Sequence, residues 1–181
     1  MKTFYTLLLC ILFVSITNSQ DRFLTKNGAI TFFSSAPMED IKADNNQVLS
    51  IVDASNGKMA ISILMKSFMF DKALMQEHFN ENYVESDKYP KATFKGQILN
   101  FDTMSATATK AEVKGTITMH GKSKEIIIPA TITRTEEAIV MEGEFYLNVA
   151  DFDIKIPAVV AKNIAKKIKV SFKFNQKPYK K

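Results

Sequence analysis

Apolar and polar residues alternate with a period of two along much of this chain, a pattern that predicts β-strands. From Glu112 to Met119, Val113, Gly115, Ile117 and Met119 fall on one face, and Glu112, Lys114, Thr116 and Thr118 on the other. From Ile139 to Val149, Ile139, Met141, Gly143, Phe145, Leu147 and Val149 alternate with Val140, Glu142, Glu144, Tyr146 and Asn148. Near the end, Ile168, Val170, Phe172 and Phe174 alternate with Lys167, Lys169, Ser171 and Lys173. Each run has one apolar and one wet face, as in an antiparallel sheet packed on one side only.

The same reading predicts strands near 22–25, 28–35, 47–54, 58–67, 92–101, 105–119, 123–134 and 138–149, with another near 166–175. Turn signals separate them. Ser55-Asn56-Gly57-Lys58 carries the Asn-Gly pair of tight hairpins, and His120-Gly121-Lys122 and Thr135-Glu136-Glu137 separate later strands. Two segments have helical spacing instead. Asp71 to Tyr83 places Leu74, Met75, His78, Phe79 and Asn82 along one stripe, with Asp71 as N-cap. Pro157 suits the first turn of a short helix running from Ala158 to Ala165. No repeat or linker divides the chain after residue 20. A meander of this length closes into a barrel or splits into a sandwich, and alternation alone leaves both open.

The first residues follow another logic. Met1-Lys2 is a positive start, Leu7 to Val14 is an apolar run, and Thr17 and Ser19 are small residues before Gln20. This predicts a secretory signal over residues 1–19, cut before Gln20. The run is short of the roughly 20 apolar residues that span a bilayer. Cys10 lies inside it behind Leu9, which argues against a lipoprotein cut at the cysteine.

Composition narrows the function classes. With 46% hydrophobic and 24% charged residues, the 181-residue chain is ordinary for a globular protein. Losing the leader removes one lysine and no acid, which takes the net charge from +5 to +4. It also removes the only cysteine, and with it any disulfide or thiol chemistry. An exported domain without disulfides suits a bacterial periplasm, or another secreted setting, better than a eukaryotic secretory route. No G-x-S-x-G elbow, phosphate loop or dinucleotide fingerprint is present, and no nucleic-acid motif. His78 and His120 have no nearby metal-ligand partner in sequence, and Asp151 and Asp153 lack the other oxygens of a calcium loop. No metal or cofactor is expected.

Several spaced motifs resemble the YceI-like family. They are the segment Phe70 to Ser86 and its continuation Asp87 to Gly96, and Phe33 to Pro37 with Glu39 and Ile41. Val113-Lys114-Gly115 leads to Met119-His120-Gly121-Lys122, and Gly143-Glu144-Phe145 precedes Asp151 to Ile154 and Ile156-Pro157. The resemblance covers nearly all of residues 20–181, in order. It implies an all-β fold: an extended eight-stranded antiparallel barrel, lipocalin-like in outline, with one or two short helices. It also implies an apolar lumen that holds a polyisoprenoid or other single-tailed amphiphile, and export to the periplasm.

On that basis the inward strand positions are the expected ligand contacts: Ile61, Ile63, Phe94, Ile98, Val113, Ile117, Met119, Ile128, Ile132, Met141 and Phe145. Leu74, Met75 and Phe79 are expected either to cap one barrel end or line its mouth or, on the plainer reading, to form a helix stripe that only plugs the core. His78 reads more readily as a hydrogen-bonded structural histidine than as a head-group contact, and His120 as a turn residue. Glu142 and Glu144 read as a solvated face rather than an acid–base pair. Lys162 to Lys181 holds eight lysines and no acid. Its plain reading is a soluble face that deters edge pairing, and its sharper one is transient contact with an anionic membrane surface. The expected role is a carrier for an isoprenoid or fatty-acyl lipid, alone or as a homodimer. A hydrolase or isomerase using the same lumen, and a stress-related interaction protein with a filled barrel, remain the alternatives.

Overall fold

The computed structural model describes residues 22–160 and 162–179. The leader expected over 1–19 lies outside them. Nine strands form one sheet: β1 (Arg22–Ser35), β2 (Asp40–Asp53), β3 (Lys58–Leu64), β4 (Met69–Phe70), β5 (Lys91–Ile98), β6 (Thr109–Met119), β7 (Lys122–Arg134), β8 (Ile139–Asn148) and β9 (Lys167–Tyr179). All pairings are antiparallel. β1 pairs with both β2 and β9, so the eight long strands close into a barrel. The two-residue β4 pairs only with β2. The choice between barrel and sandwich is thus settled by Phe32 facing Val170 and Arg22 facing Tyr179 across the seam. Closure satisfies the backbone groups that an open edge would leave unpaired.

Several element boundaries differ from expectation for physical reasons. The segments 22–25 and 28–35 are a single strand with a register shift between Thr25 and Gly28. β2 begins at Asp40, not near residue 47. Its polar first half hides two inward positions, Ala43 and Asn45, both buried, with the Asn45 amide donating to the Leu64 carbonyl. The first helix, α1, is only Ala73–His78, and Asp71 does not cap it; Lys72 takes the N-cap place without a side-chain bond. From Phe79 the backbone widens into a π-type turn, closed by the Val84 amide on the Phe79 carbonyl, which brings Val84 into the core. The helix expected over 158–165 reduces to one 3-10 turn at Ala158–Val160. Its polar groups go to the β1–β2 hairpin instead. The Met38 amide donates to the Lys162 carbonyl, and the Ala165 amide to the Ser34 hydroxyl.

Antiparallel alternation sorts the connections onto two ends. One end carries the β2–β3 turn at Asn56-Gly57, the 99–108 loop, the 135–138 turn and both strand termini Arg22 and Tyr179. It is closed. Phe101 is buried there, and the Arg134 guanidinium stacks 4.3 Å from its ring centre. Arg134 also donates to the Ala54 carbonyl at 3.0 Å and the Phe101 carbonyl at 3.3 Å. Gly57, at positive φ, has no room for a side chain because the Phe101 β-carbon lies 2.6 Å from where its Cβ would be.

The other end carries the β1–β2 hairpin, the 65–90 segment with α1, the β6–β7 turn and the 149–166 segment. His120 binds three of these together. It sits with Gly121 in the two-residue turn, both at positive φ, with Met119 paired to Lys122. Its Nδ1 donates to the Phe152 carbonyl at 2.9 Å, and its Nε2 lies 2.7 Å from a Glu85 carboxylate oxygen. Tyr89 packs against the imidazole at a ring separation of 4.7 Å.

Two outcomes follow. Arg134→Met keeps the bulk but strands two carbonyls, and should lower stability by about 2–3 kcal/mol, read as a lower urea midpoint at unchanged slope. His120→Asn tolerates the left-handed backbone but cannot reach both partners. It should cost about 1.5–3 kcal/mol, the range for hydrogen bonds to charged groups, and raise amide exchange at Glu85 and Phe152 while β9 stays protected.

Candidate functional site: an apolar cavity with one mouth

Inward positions of a closed sheet must be filled by side chains or left as a cavity. Here one part is filled and another is not. Below, Ile98, Ile132, Ile139 and Val52 are fully packed. Above them lies an apolar cavity of about 460 Å³, within the range of small-molecule sites.

Aromatic rings and the glycines beneath them shape it. Gly96 and Gly115 face each other across β5 and β6, and the Phe94 ring lies flat over both. A Cβ on either glycine would sit 2.5–2.6 Å from the tip of that ring. Gly143 makes the same room for Phe172, whose Cζ would lie 2.9 Å from an added Cβ, and Gly28 for Phe174 at 2.5 Å. Phe172 and Phe174 stack at 5.3 Å. Rings pressed against the wall in this way line the cavity instead of crossing it. Towards the mouth, Phe32, Phe68, Phe70 and Phe79 form a cluster with ring separations of 5.0–5.7 Å, and α1 lies over it.

Of the residues expected from sequence, Ile61, Ile63, Phe94, Val113, Ile117, Met119, Ile128, Met141 and Phe145 line the cavity wall, and Leu74, Met75 and Phe79 line it from the 65–90 segment. Ile98 and Ile132 do not reach it; 1% and 0% exposed, they belong to the packed lower core. Sequence reasoning passed over Phe32, Phe68 and Phe70, and the inward β9 residues Val170, Phe172 and Phe174. The alternation along β9 was a usable signal for those last three. It also passed over Ile154, Ile156, Val160 and Ile164, a strap of irregular backbone across the mouth.

Polar groups are few and collect at the open end. Among the described residues, the only charged side chains on the cavity surface are Glu39 and Lys72, which pair with each other. Ser34 is turned to the Ala165 amide, and Asn163 lies on the strap. Burial pushes the Tyr83 phenol above its usual range. His78 corrects the expectation of a hydrogen-bonded structural histidine: it is exposed on α1, borders the cavity and bonds to no described residue. His120 is occupied by Glu85 and Phe152 and does not border the cavity.

Elsewhere several charges are paired. Lys124 bonds to Asp151, holding that carboxyl below its usual range. On the outer face of β9, Lys169 meets Glu144 at 3.5 Å, Lys173 meets Glu142 at 3.1 Å, and Lys167 lies over the Tyr146 ring. Among the described residues, no three His, Cys, Asp or Glu side chains gather as a metal ion would need.

A closed eight-stranded barrel with an apolar lumen and a helix-bearing connection at its mouth narrows the comparison, and the YceI-like domain profile matches residues 15–176. The chain belongs to the YceI-like family. Solved structures place the fold of this family member beside three others. A polyisoprenoid-binding domain from Saccharophagus degradans, implicated in plant cell wall breakdown, is 13% identical with a TM-score of 0.76, covering 88% of this chain and 99% of its own. Burkholderia cenocepacia BcnA is 17% identical with a TM-score of 0.67, covering 81% and 94%. A Campylobacter jejuni YceI protein is 17% identical with a TM-score of 0.53, covering both chains completely. At these identities the likeness is one of fold. None of the curated proteins compared with this YceI-like chain matches it.

The glycine–ring arrangement is testable. Gly115→Val would press on the Phe94 ring tip and the Lys95 carbonyl alike, each 2.5 Å from the added Cβ, so β5 and β6 must part locally as the ring moves into the lumen. It should cost about 1–3 kcal/mol as overpacking, and the folded variant should take up a shorter tail than the parent, measured by native mass spectrometry.

Proposed function

We propose that this protein is an exported carrier that encloses the tail of a polyisoprenoid or fatty-acyl amphiphile and leaves its head group at the mouth. The observation that carries this reading is the division of the cavity surface among the described residues: overwhelmingly apolar, with the charged Glu39 and Lys72 and the polar Ser34, His78, Tyr83, Thr93 and Asn163 all on or beside the elements of the open end. Burial of a tail contributes about 0.8 kcal/mol per CH₂, so ten buried carbons supply about 8 kcal/mol before the costs of ordering and association. Such binding needs no directional chemistry. The polyisoprenoid-binding domain from Saccharophagus degradans, which shares the fold, supports the class of ligand. The expected leader supports export. Binding fits better than catalysis, because no acid, base and nucleophile converge in the depth of the lumen among the described residues: His78 stands at the rim and His120 is held elsewhere.

Native mass spectrometry of the protein purified from its own cells, followed by organic extraction, should show a bound lipid. The apo protein should also take up an added prenol such as farnesol. Ile117→Trp, which fills the lumen from β6, should abolish uptake while the barrel still folds, judged by its circular dichroism. An apo mass after gentle handling, with no uptake of prenyl or acyl chains, would overturn the reading.

A further inference from the structure

Large apolar side chains exposed singly on a surface need no explanation, but a group of them around an opening does. Met38 is 69% exposed, Leu74 61% and Val159 91%. They come from three separate connections, the β1–β2 hairpin, α1 and the 149–166 segment, all at the open end of the barrel. The first and third are joined directly by the Met38 amide on the Lys162 carbonyl. Leu74 also lines the cavity, so the apolar surface runs without a break from the lumen to the outside.

The strap is basic, whereas the β1–β2 hairpin beside it carries Glu39, paired with Lys72, and the exposed Asp40. The strap carries Lys155, Lys162 and Lys166, all exposed, and from residue 154 to the end of the chain there is no acid. None of these three lysines pairs with a described carboxylate, as is also true of Lys58, Lys95 and Lys114 elsewhere on the barrel; what marks the three is their place on one segment at the open end. The opposite flank, around α1, carries Asp71, Glu77 and Glu81. Exposed apolar side chains backed by free lysines are the signature of a surface that lies in a bilayer interface.

We propose that the open end docks on an anionic lipid bilayer, strap first, with Val159 and Met38 entering the interface and Lys155, Lys162 and Lys166 meeting phosphate head groups. The acidic flank of α1 is held away from such a surface, so the barrel tilts and the mouth opens towards the lipid. The inference rests on the lumen reading for its purpose: a tail would pass between membrane and lumen without crossing water. The basic β9 face, neutralised by Glu142 and Glu144, is not the docking surface.

The test is flotation of the protein purified from its own cells with vesicles of phosphatidylethanolamine and phosphatidylglycerol, against vesicles of phosphatidylcholine alone. The parent should float with the anionic vesicles and come off as salt screens the lysines. Lys155→Gln with Lys162→Gln and Lys166→Gln should lower partitioning about 100-fold, at about fivefold per lysine. Met38→Ser with Val159→Ser should abolish flotation at moderate salt. Neither side chain lines the cavity, so this variant should still take up farnesol from solution. Ile117→Trp should behave in reverse, floating without taking up farnesol. A parent that takes up farnesol but does not float, or variants that float like the parent, would overturn the docking face and leave the lumen reading standing. A parent that floats but takes up no prenyl or acyl chain would overturn the lumen reading alone.

Discussion

The antiparallel pairing of β1 with β9 is the contact on which the rest of this structure depends. Without it the sheet would have two edges and its inward residues would have to bury themselves against something else. With it, every inward side chain faces other inward side chains across an enclosed space. What fills that space is then a question of volume. The wall supplies an unusual answer, because Gly28, Gly96, Gly115 and Gly143 are sites where a ring from a neighbouring position lies flat on the backbone. Phe94, Phe172 and Phe174 therefore add apolar surface without blocking the lumen.

The two ends of the barrel use opposite chemistry. At the closed end a single cation, Arg134, satisfies two carbonyls of separate loops and stacks on Phe101. A half-buried charge that meets two acceptors and a ring gives that end one arrangement. At the open end His120 gathers Glu85 and Phe152, but only on one side. The other side is spanned by the strap, which is held to the β1–β2 hairpin by two backbone amides, one on a carbonyl and one on the Ser34 hydroxyl. This is the weaker seam, and it is where the cavity meets solvent. Leu74, Met75 and Ile156 line the cavity from the connections at this end, and not from the strands.

Much of this was legible in the chain. Period-two alternation identified the inward faces of β6, β8 and β9, because one side of each strand is wet and the other dry. It therefore placed Val113, Ile117, Met141 and Phe145 on the lumen side. The His-Gly turn was legible because a two-residue hairpin demands positive φ, whereas the Asn-Gly pair, expected to make a tight hairpin, closes a four-residue connection from Ala54 to Gly57 in which only Gly57 has positive φ. The family resemblance, carried by motifs from Phe33 to Pro157, indicated the eight-stranded barrel that alternation left undecided. The first half of β2 was not legible: Asp40, Lys42, Asp44 and Asn46 are polar, and the inward Asn45 hides its role in a bond to Leu64.

What the sequence by itself determined is which side of each strand is apolar, since that follows from the spacing of neighbours along one segment. What only the tertiary structure decided is where the interior is full and where it is empty. Ile98 and Ile132 obey the same alternation as Ile117 and Ile128, yet the first pair is sealed beneath Phe101 and the second borders the cavity. The difference comes from which loops fold over which end. The same holds for the strap, whose Ile154, Ile156, Val160 and Ile164 have no period of their own and line the cavity from a segment tied at Phe152 to His120 and at Lys162 and Ala165 to the β1–β2 hairpin. Depth along a barrel is a property of how distant segments meet, and a local pattern of residues does not contain it.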